Sequence, residues 1–309
     1  MKKTMTNATH IEGLLYQHSL ELKVSGENSK NPGTEFIAGT IDIATDDACT
    51  NIVPVHFTYV TAITSKNKAN QTFTTLQNII NGTLGTYMGA GADKAVKVRV
   101  DSALGLNEFY SDRTGKEELV SAKRNEGGFV HTADALVDDE KQRNTFKCDM
   151  IITKCTEIEA NEERNTPAKV LISGVTFDFR KALLPVEFSA INPAAMNYFL
   201  GLEASDKNPV FTCVWGRQVS ETIVRTITEE SAFGEASVRE VRSSRKDWVI
   251  TGASPEPYIW DDDSTITVAE FTKATSDRET YLATLKQRQD EYKSSQNKAA
   301  VPASGAFNF

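Results

Sequence analysis

The sequence predicts a mainly β (α+β) protein in which two tandem β-barrel domains precede a C-terminal helix and a flexible tail. Several segments are rich in β-branched and aromatic residues and alternate between apolar and polar positions, a pattern typical of half-buried strands. Five predicted elements recur in the same order roughly 130 residues further along the chain, which indicates an internal duplication. A short helical segment interrupts the strands in both halves.

Differences in composition divide the chain into five predicted parts. These are an irregular N-terminal segment (1–33), a first barrel domain (34–162), a second barrel domain (163–258), a C-terminal helix (259–295) and a flexible tail with an aromatic tip (296–309). Thr267 and Glu270 have the spacing of a capping box, which predicts the beginning of helical turns. The tail is rich in Ala, Pro, Ser and Gly, a composition that predicts flexibility.

Two strands and a short helix open the first predicted domain. Residues 35–45 and 52–61 alternate apolar and polar side chains on either side of an acidic turn, as the strands of a hairpin do. Gly39 lies inside the first of these strands and indicates a bulge. Residues 72–85 place apolar side chains at helical spacing and include an Asn-Gly stop, which predicts a short helix. Three further strands follow, of which the last covers residues 144–160.

The second predicted domain repeats this order of elements. Its elements are strands at 169–180 and 183–191, a helix at 192–202, and strands at 209–227 and 245–255. The tetrapeptide PVHF, which contains His56, returns as PVEF, which contains Glu187. The strand at 245–255 is similar to the one at 144–160, and we therefore expect these two strands to be equivalent.

Charge and hydropathy exclude several classes of protein. The chain of 309 residues has a formal net charge of -8 and a pI near 5.2, which excludes a uniformly basic nucleic-acid binder but allows a local basic face. No apolar run approaches the ~20 residues that a membrane-spanning helix needs, and the N-terminus lacks the apolar core of a signal peptide. We therefore expect a cytoplasmic protein without a membrane partner.

The cysteines, histidines and glycines show no pattern of a metal or cofactor site. The cysteines are scattered without a Cys-x-x-Cys pair, so we expect buried, reduced thiols at Cys49, Cys148, Cys155 and Cys213. The four histidines have no His-x-x-x-His spacing. The glycine-rich residues 82–94 lack the pattern of a phosphate-binding loop and predict a flexible connection. The sequence predicts neither a metal nor another cofactor.

The acidic first hairpin raises the question of catalysis. Asp46, Asp47 and His56 could serve as acid, base or metal ligands, or they could be turn and surface residues of a binding domain. The second copy keeps the hairpin pattern but has Glu187 in place of His56. The candidate acid, base or metal-binding group is therefore not repeated. The acidic run 261–263 precedes a helix, where negative charge is favourable, so it also has a structural explanation. We therefore predict that the protein is not an enzyme.

Basic and aromatic residues are interleaved along the predicted strands of both domains. Binding of a single strand without sequence preference needs aromatic faces for unstacked bases and cations along the phosphates. The candidate DNA-binding residues are Tyr59, Arg99, Tyr110, Lys123, Arg124, Trp215, Arg217, Arg242, Arg245, Lys246 and Trp248. Trp215 and Trp248 are the best candidates for surface stacking. Phe57, Phe177 and Phe179 are expected in the core, because aromatic residues on strands usually fill barrels.

The order of predicted elements is close to that of a known small barrel. A five-stranded barrel with a helix between its third and fourth strands is the OB-fold, whose usual ligands are oligonucleotides and oligosaccharides. Both predicted domains are OB-like in this sense. In the first domain, however, the predicted helix precedes the third strand. Either one strand of this domain is not recognised from its apolar-polar alternation, or the barrel contains additional elements.

A family resemblance rests on four stretches of the chain. They are GTIDIATDDACTNIVPVHFTYV (39–60), GLNEFYSDRTGKEELVSAKRNEGGF (105–129), ESAFGEASVREVRSSRKDWVITGASPEPY (230–258) and the terminal GAFNF. With them the chain resembles the single-stranded DNA-binding proteins of bacteriophages and mobile elements of gut Firmicutes. The resemblance covers most of the chain and implies OB-type, sequence-independent binding of single-stranded DNA in phage or mobile-element replication and recombination. The alternative is a phage structural or virion assembly protein, and a nucleic-acid-processing enzyme comes third.

The end of the chain has a second likeness. Bacterial single-strand-binding proteins end in a flexible linker and a short tip closing on Phe, which recruits replication and repair partners. Phe307 and Phe309 match this plan, and the resemblance implies that they contact replication or recombination proteins. The acidic residues that normally flank such a tip are absent, so the alternative is a tail that covers the protein's own aromatic groove. A homo-oligomer is compatible with either alternative.

Overall fold

Strands from both halves of the chain join in one eleven-stranded sheet in the computed structural model of this protein. The structure describes residues 5–113, 115–161, 167–229, 237–262 and 266–299, and side chains in these ranges except at 221–229, 237–245 and 295–299. The strands are β1 (Asn7–His18), β2 (Glu21–Val24), β3 (Glu35–Ala44), β4 (Ile52–Thr61), β5 (Lys97–Ser111), β6 (Glu118–Thr132), β7 (Asn144–Ile158), β8 (Lys169–Phe177), β9 (Leu183–Ala190), β10 (Val210–Glu229) and β11 (Ser237–Ala253). The α-helices are α1 (Gln71–Ile80), α2 (Tyr87–Ala90), α3 (Pro193–Gly201) and α4 (Val268–Ala299). Within the described ranges, no helix combines the length and apolar character needed to cross a membrane.

In each half, five strands pair in a cycle, so that the last strand of the cycle pairs with the first. In the first half, β1 pairs with β3 and β5, β3 pairs with β4, and β4 and β5 both pair with β6. In the second half, β7 pairs with β8 and β10, β8 pairs with β9, and β9 and β10 both pair with β11. The β4–β6 and β9–β11 pairings are parallel, and the other pairings of the two cycles are antiparallel. The two halves therefore share one pattern of pairing, with α1 and α3 at equivalent places.

The N-terminal segment is predicted to be irregular, but it contains β1, a central strand of the sheet. It pairs with β3, β5 and β7. Ile11 and Leu15 are fully buried on one face, and Glu12 is fully buried on the other. Gly13 lies so close to β3 that a Cβ here would be 1.9 Å from the Ala44 carbonyl oxygen. A strand that buries residues on both faces lacks the regular apolar-polar alternation that identifies a half-buried strand, so the sequence does not reveal it.

By its pairings β7 joins the strands of the second half, whereas the predicted domains 34–162 and 163–258 assign it to the first. It pairs with β8 and β10, and its pairing with β1 joins the two halves. The strand equivalent to β11 is therefore β6, and not the segment at 144–160 as predicted. With β1 and β7 as first strands, each helix lies between the third and fourth strands of its cycle, and the mismatch in the predicted order disappears.

Other predicted features are confirmed, with small differences in bounds. Gly39 has a φ of 133° and lies at a register shift in the β3–β4 pairing, as the predicted bulge requires. Thr267 and Glu270 form the predicted capping box, since the Glu270 N–H donates to Thr267 Oγ1 at 3.1 Å and the Thr267 N–H donates to the Glu270 carboxylate at 3.0 Å. The C-terminal helix begins later than predicted, at Val268. Residues 82–94 include α2 and a short 3₁₀ helix, so they are more ordered than the flexible connection that we predict.

Each half encloses an apolar core of its own. The first core is built by β1, β3, β4, β5, β6 and α1, and includes Phe57. The second is built mainly by β7, β8, β9, β10, β11 and α3, and includes Phe188. A smaller cluster around Phe177 lies under the segment that leads into α4. Phe57 and Phe177 are core residues, as predicted, whereas Phe179 lies in the β8–β9 turn and is 87% exposed.

The four cysteines, which are predicted to be buried thiols, form no disulfide with each other. Cys148 and Cys213 are buried, and Cys49 and Cys155 are partly buried. Burial raises the pKa of the Cys213 thiol to about 11, and the nearby Asp149 carboxylate raises it further. A buried thiol with a raised pKa is a poor nucleophile, so the surroundings of Cys213 favour a packing role.

A buried amide pair links the two halves. Asn125 on β6 and Gln218 on β10 are 2% and 6% exposed, and each side-chain amide donates to the carbonyl oxygen of the other at 2.8 Å. The Asn125 side chain also donates to the backbone carbonyl oxygen of Pro54 at 3.0 Å. The Asn144 side chain donates to the backbone carbonyl oxygen of Gln218 at 2.6 Å. Because these hydrogen bonds offset the cost of burying the amides, the pair can hold the halves in one relative position.

Helix α4 packs along the β5–β6 hairpin through ion pairs. Arg278, with 12% of its side chain exposed, pairs with Glu108, whose side chain is 3% exposed. The two groups make two hydrogen bonds, of which one joins Nη1 and Oε2 at 2.7 Å. Lys286 and Lys293 both bond Glu117, and these bonds hold the pKa of its carboxyl group below the usual value. Acidic groups of the hairpin and cations of the helix therefore attach α4 to the sheet.

Asn125→Leu is expected to lower the free energy of unfolding by about 2 kcal/mol, because the buried Gln218 amide then loses its partner atoms. Urea denaturation followed by circular dichroism measures the change. Adding Gln218→Leu should restore part of the loss, since neither amide is then buried unpaired. Asn107→Leu makes the same change at an exposed position of β5 and should alter the free energy by less than about 0.5 kcal/mol. Equal losses at positions 125 and 107 would contradict a stabilising amide pair.

Glu12 should make the stability of the fold depend on pH. Burial alone raises the pKa of Glu12, but hydrogen bonds from Arg99 and the Val137 N–H, with the charges of Arg99 and His10, lower it below the ordinary 4.5. A lowered pKa stabilises the folded state above the ordinary value, and this contribution disappears as the pH falls through the folded-state pKa. The loss of unfolding free energy in Glu12→Gln should therefore be larger at about pH 7 than at about pH 3. A loss that is the same at both pH values would refute this role.

Candidate nucleic-acid interface

One face of the sheet continues without interruption across five strands of both halves. We define the central face as Trp215 and Arg217 of β10, Thr145 and Lys147 of β7, His10 of β1, Asp101 of β5 and Phe129 of β6. One cross-strand row contains, in order, Arg217, Thr145, His10, Asp101 and Phe129, and a second row contains Trp215 and Lys147. Residues directly opposite each other in antiparallel strands project from the same face, so these side chains form one surface.

Trp215 is the exposed aromatic residue at the β10 end of the central face. It is 39% exposed. The Lys147 ammonium lies 6.0 Å from the centre of its ring, at the limit of a cation–π contact. A Cβ on Gly252 would lie 2.3 Å from Trp215 Nε1, so the missing side chain of Gly252 leaves room for the ring. The indole therefore lies against β11 and keeps part of its surface open to solvent.

Three basic side chains line the same cavity as Trp215, which Asp101 of the central face also lines. Lys141, Lys147 and Arg217 line, together with Trp215, a surface cavity of about 610 Å³. In the part of the chain that the structure describes, no carboxylate lies within 4.0 Å of the charged groups of these three residues. Unpaired cations beside an exposed aromatic ring are the two features that binding of a single strand requires.

The opposite end of the central face carries a second exposed aromatic residue. Phe129 is 69% exposed and follows Gly127 and Gly128, whose φ values are 67° and 112°. These glycines accompany a register shift in the β5–β6 pairing. Between Phe129 and the cations, the Asp101 carboxylate is hydrogen-bonded to His10 Nδ1 at 2.7 Å. The imidazole occupies a position where it shields part of the negative charge on this face.

The sequence does not select Lys147, Phe129 or Gly252 for the site. Their places depend on pairings between strands that are far apart along the chain. The sequence feature that could have identified Lys147 is the alternation around it, because Phe146 and Cys148 are buried and Lys147 is exposed. Alternation shows that Lys147 faces solvent, but it does not show that Trp215 lies opposite.

Arg99 belongs to the predicted site, but its charge has a structural partner. Its Nε donates to the Glu12 carboxylate at 2.8 Å, and the Glu12 side chain is fully buried. Removing one partner of such a pair leaves a buried charge uncompensated, which costs about 3–5 kcal/mol. Arg99 therefore stabilises β1 and β5 in the first place.

The two predicted tyrosines lie apart from the central face. Tyr59 is 44% exposed on β4, where its ring centre is 4.5 Å from that of Phe36. Tyr110 lies under α4: its N–H donates to Gln289 Oε1 at 2.9 Å, and the Lys286 ammonium is 5.2 Å from its ring centre. Tyr59 remains accessible to a ligand, whereas α4 engages Tyr110.

The predicted cations of β6 are held by neighbouring groups. Lys123 donates to the Glu187 carbonyl oxygen and lies over the Phe188 ring at 5.3 Å. Burial lowers the pKa of the Lys123 ammonium. Arg124 pairs with Glu126 at 2.9 Å. Neither cation is presented to solvent in the way that Lys147 is.

Trp248 is a core residue, which corrects its prediction as a surface stacking residue. It is 8% exposed, and its ring centre lies 5.1 Å from that of Phe146 and 6.1 Å from that of Phe188. Trp248 lies opposite Gln218, whose side chain is also buried. This position of the β10–β11 pair therefore faces the interior, although the basic residues before Trp248 in the sequence suggest a surface.

The remaining predicted cations belong to the long β10–β11 hairpin. Lys246 is exposed and lies opposite Ser220. Arg242 and Arg245 belong to the β11 backbone, and their side chains lie outside the described residues. The predicted tail residues Phe307 and Phe309 also lie outside the described residues.

The acidic residues of the first hairpin have structural partners. Asp46 accepts hydrogen bonds from the Thr50 and Asn51 N–H groups at 3.0 and 2.7 Å, as predicted for a turn residue. Asp47 accepts from Arg143 at 2.5 Å. Burial lowers the pKa of His56. Among the residues that the structure describes, no three His, Cys, Asp or Glu side chains form a group that could hold a metal ion.

Comparisons with known proteins identify a family and two similar structures. The wild-type single-stranded DNA binding protein from Thermus aquaticus has 12% sequence identity and a TM-score of 0.46, over 82% of this chain and 94% of that chain. A deletion mutant of the same protein has 11% identity and a TM-score of 0.45, over 84% of this chain and 97% of that chain. Scores this low do not establish a shared fold. No curated protein matches the sequence.

A family model covers nearly all of the described chain. The model of the YorF family matches residues 6–288, which include every strand of both cycles and most of α4. The chain belongs to the YorF family.

Proposed function

We propose that this protein binds single-stranded DNA without strong sequence preference. The observation that carries the proposal is the exposed Trp215 ring beside the unpaired cations Lys147 and Arg217 on the central face. A base that stacks on an aromatic side chain contributes about 1–3 kcal/mol, and any base can stack because each has a π-face. The neighbouring cations would neutralise phosphates on either side of that base.

The geometry favours a single strand over a duplex. In a duplex the bases are stacked on each other, so Trp215 could reach a base face only after unstacking it. A single strand offers its bases directly to an aromatic surface. The central face is also extended, with Phe129 a further exposed ring at its other end. Backbone phosphates and exposed bases of one strand could follow this surface from β10 towards β6.

The net charge of -8 is compatible with this function because the field near the surface depends on local charge. Screening reduces the influence of charges that lie more than about 10 Å away at ~0.1 M salt. Lys141, Lys147 and Arg217 therefore act on a strand at the central face more strongly than the acidic residues elsewhere. Affinity should fall as salt rises, since each phosphate contact releases counterions.

The pattern of pairing supports the interpretation of each half as an OB-like barrel. Both cycles contain five strands with a helix between the third and fourth, which is the order of that fold. Together with the resemblance in sequence, this suggests a cytoplasmic, non-enzymatic role in phage or mobile-element replication and recombination. The tail residues Phe307 and Phe309 remain predicted contacts for protein partners.

Fluorescence polarisation of a labelled oligo-dT tests the proposal. Wild-type protein should bind at low salt and lose affinity as salt is added. Trp215→Ala should weaken binding about 5- to 150-fold, the equivalent of one stacked base. Phe179→Ala removes an aromatic side chain that is also exposed but lies in the β8–β9 turn, and it should bind like wild type. Absence of binding by the wild type at low salt would refute the proposed function.

Gly252→Ala should weaken binding by displacing the Trp215 ring. The added Cβ would overlap the edge of the indole, which is the mobile end of a side chain, so the fold should tolerate the change. In Trp215→Ala protein the same change should weaken binding less, because the displaced ring is already absent. Gly201→Ala, where a Cβ meets nothing within 4 Å, is the matched control. Equal affinities of Gly252→Ala and wild-type protein for oligo-dT would show that Gly252 does not position the ring.

A further inference from the structure

A second cleft lies beside the central face, between the first turns of α3 and the end of β11. Its volume is about 810 Å³. The residues that matter for its chemistry are Asn192, Ala194, Tyr198, Arg217, Thr251 and Gly252. Most of its lining is apolar or uncharged, and none of the described residues that line it carries a carboxylate.

The cleft adjoins the cavity at Trp215. Arg217 and Thr251 line both spaces. Gly252 forms part of the cleft and contacts the Trp215 indole at the same time. The β10–β11 register shifts between Trp215 and Gly216, so Thr251 has no direct partner on β10. This bulge brings the two spaces together at one point of the sheet.

The side chains of the cleft suit a flat, uncharged ring attached to an anion. The Tyr198 hydroxyl donates to the Ser254 carbonyl oxygen at 2.8 Å, and its ring packs edge-on against Phe199 with ring centres 5.1 Å apart. These contacts hold the Tyr198 ring in place in the cleft wall. Arg217 adds a cation at the border with the Trp215 cavity. A nucleobase that enters the cleft would therefore have its phosphate near Arg217.

We infer that this cleft is a second base-binding subsite of the same single-stranded DNA site. One base stacks on Trp215, the linking phosphate lies at Arg217, and a neighbouring base enters the cleft beside Tyr198. The inference rests on the proposed function, because it extends the path of the same strand. It assigns Arg217 a central position, between two base subsites.

A charge placed at the cleft tests the path of the strand. Ala194 is exposed in the first turn of α3, where a carboxylate is favourable for the helix, so Ala194→Glu should fold. Asn197→Glu adds the same charge at an exposed position of α3 that does not line the cleft. Ala194→Glu should weaken oligo-dT binding at least about tenfold, and Asn197→Glu should weaken it by less than about twofold. Equal affinities of the two variants would overturn the second subsite.

Photo-crosslinking locates the bases directly. An oligo-dT that carries one 5-iododeoxyuridine is irradiated with the wild-type protein, and mass spectrometry identifies the linked peptides. Crosslinks are expected in the peptide with Trp215 and in the peptide with Tyr198, and the second should persist in Trp215→Ala protein. Tight binding with crosslinks at Trp215 but none at the cleft would reject the second subsite and leave the proposed function intact. Absence of oligo-dT binding would reject both.

Discussion

The antiparallel pairing of β1 with β7 is the constraint on which the rest of the structure depends. Residues 145–148 of β7 pair with β1 on one side and with β10 on the other, so two cycles of strands become one sheet. Trp215 and Arg217 of the second half thereby join a surface of the first half. A slip of one residue along β7 would turn Lys147 towards the interior and Phe146 towards solvent. The register of this pairing therefore sets both the core and the chemistry of the central face.

A sheet joined in this way buries charged groups, and their partners decide which cations remain available to a ligand. Breaking a buried pair costs about 3–5 kcal/mol, whereas an exposed pair contributes about 0–1 kcal/mol. Arg99 is held at its Nε by the buried Glu12, so a phosphate would have to bind its remaining N–H groups. Lys147 and Arg217 have no such partner among the described residues and can bind a phosphate at little cost. The number of basic residues in a segment is a poor guide to binding because many of them are already engaged.

The elements that depend on local pattern are predictable from this sequence, and those that depend on distant pairing are not. Half-buried strands and the capping box before α4 follow from alternation and spacing. β1 is not recognised because residues on both of its faces are buried, and Glu12 and Gly13 interrupt its apolar residues. Trp248 follows basic residues yet faces the core, since its direction depends on the register with β10. Trp215 and Arg217 are recognisable by type, but Lys147 becomes their neighbour only through the fold.

The two halves share a pattern of pairing but differ in what covers their long hairpins. On the first, Arg278 of α4 pairs with Glu108, and Lys286 lies over Tyr110. On the second, Trp215 packs against a glycine of the neighbouring strand and keeps 39% of its surface exposed. An aromatic ring under a helix contributes its buried area to stability, while a ring beside a glycine can exchange solvent for a ligand. The same hairpin pattern can therefore stabilise the fold in one half and, as we propose, bind a ligand in the other.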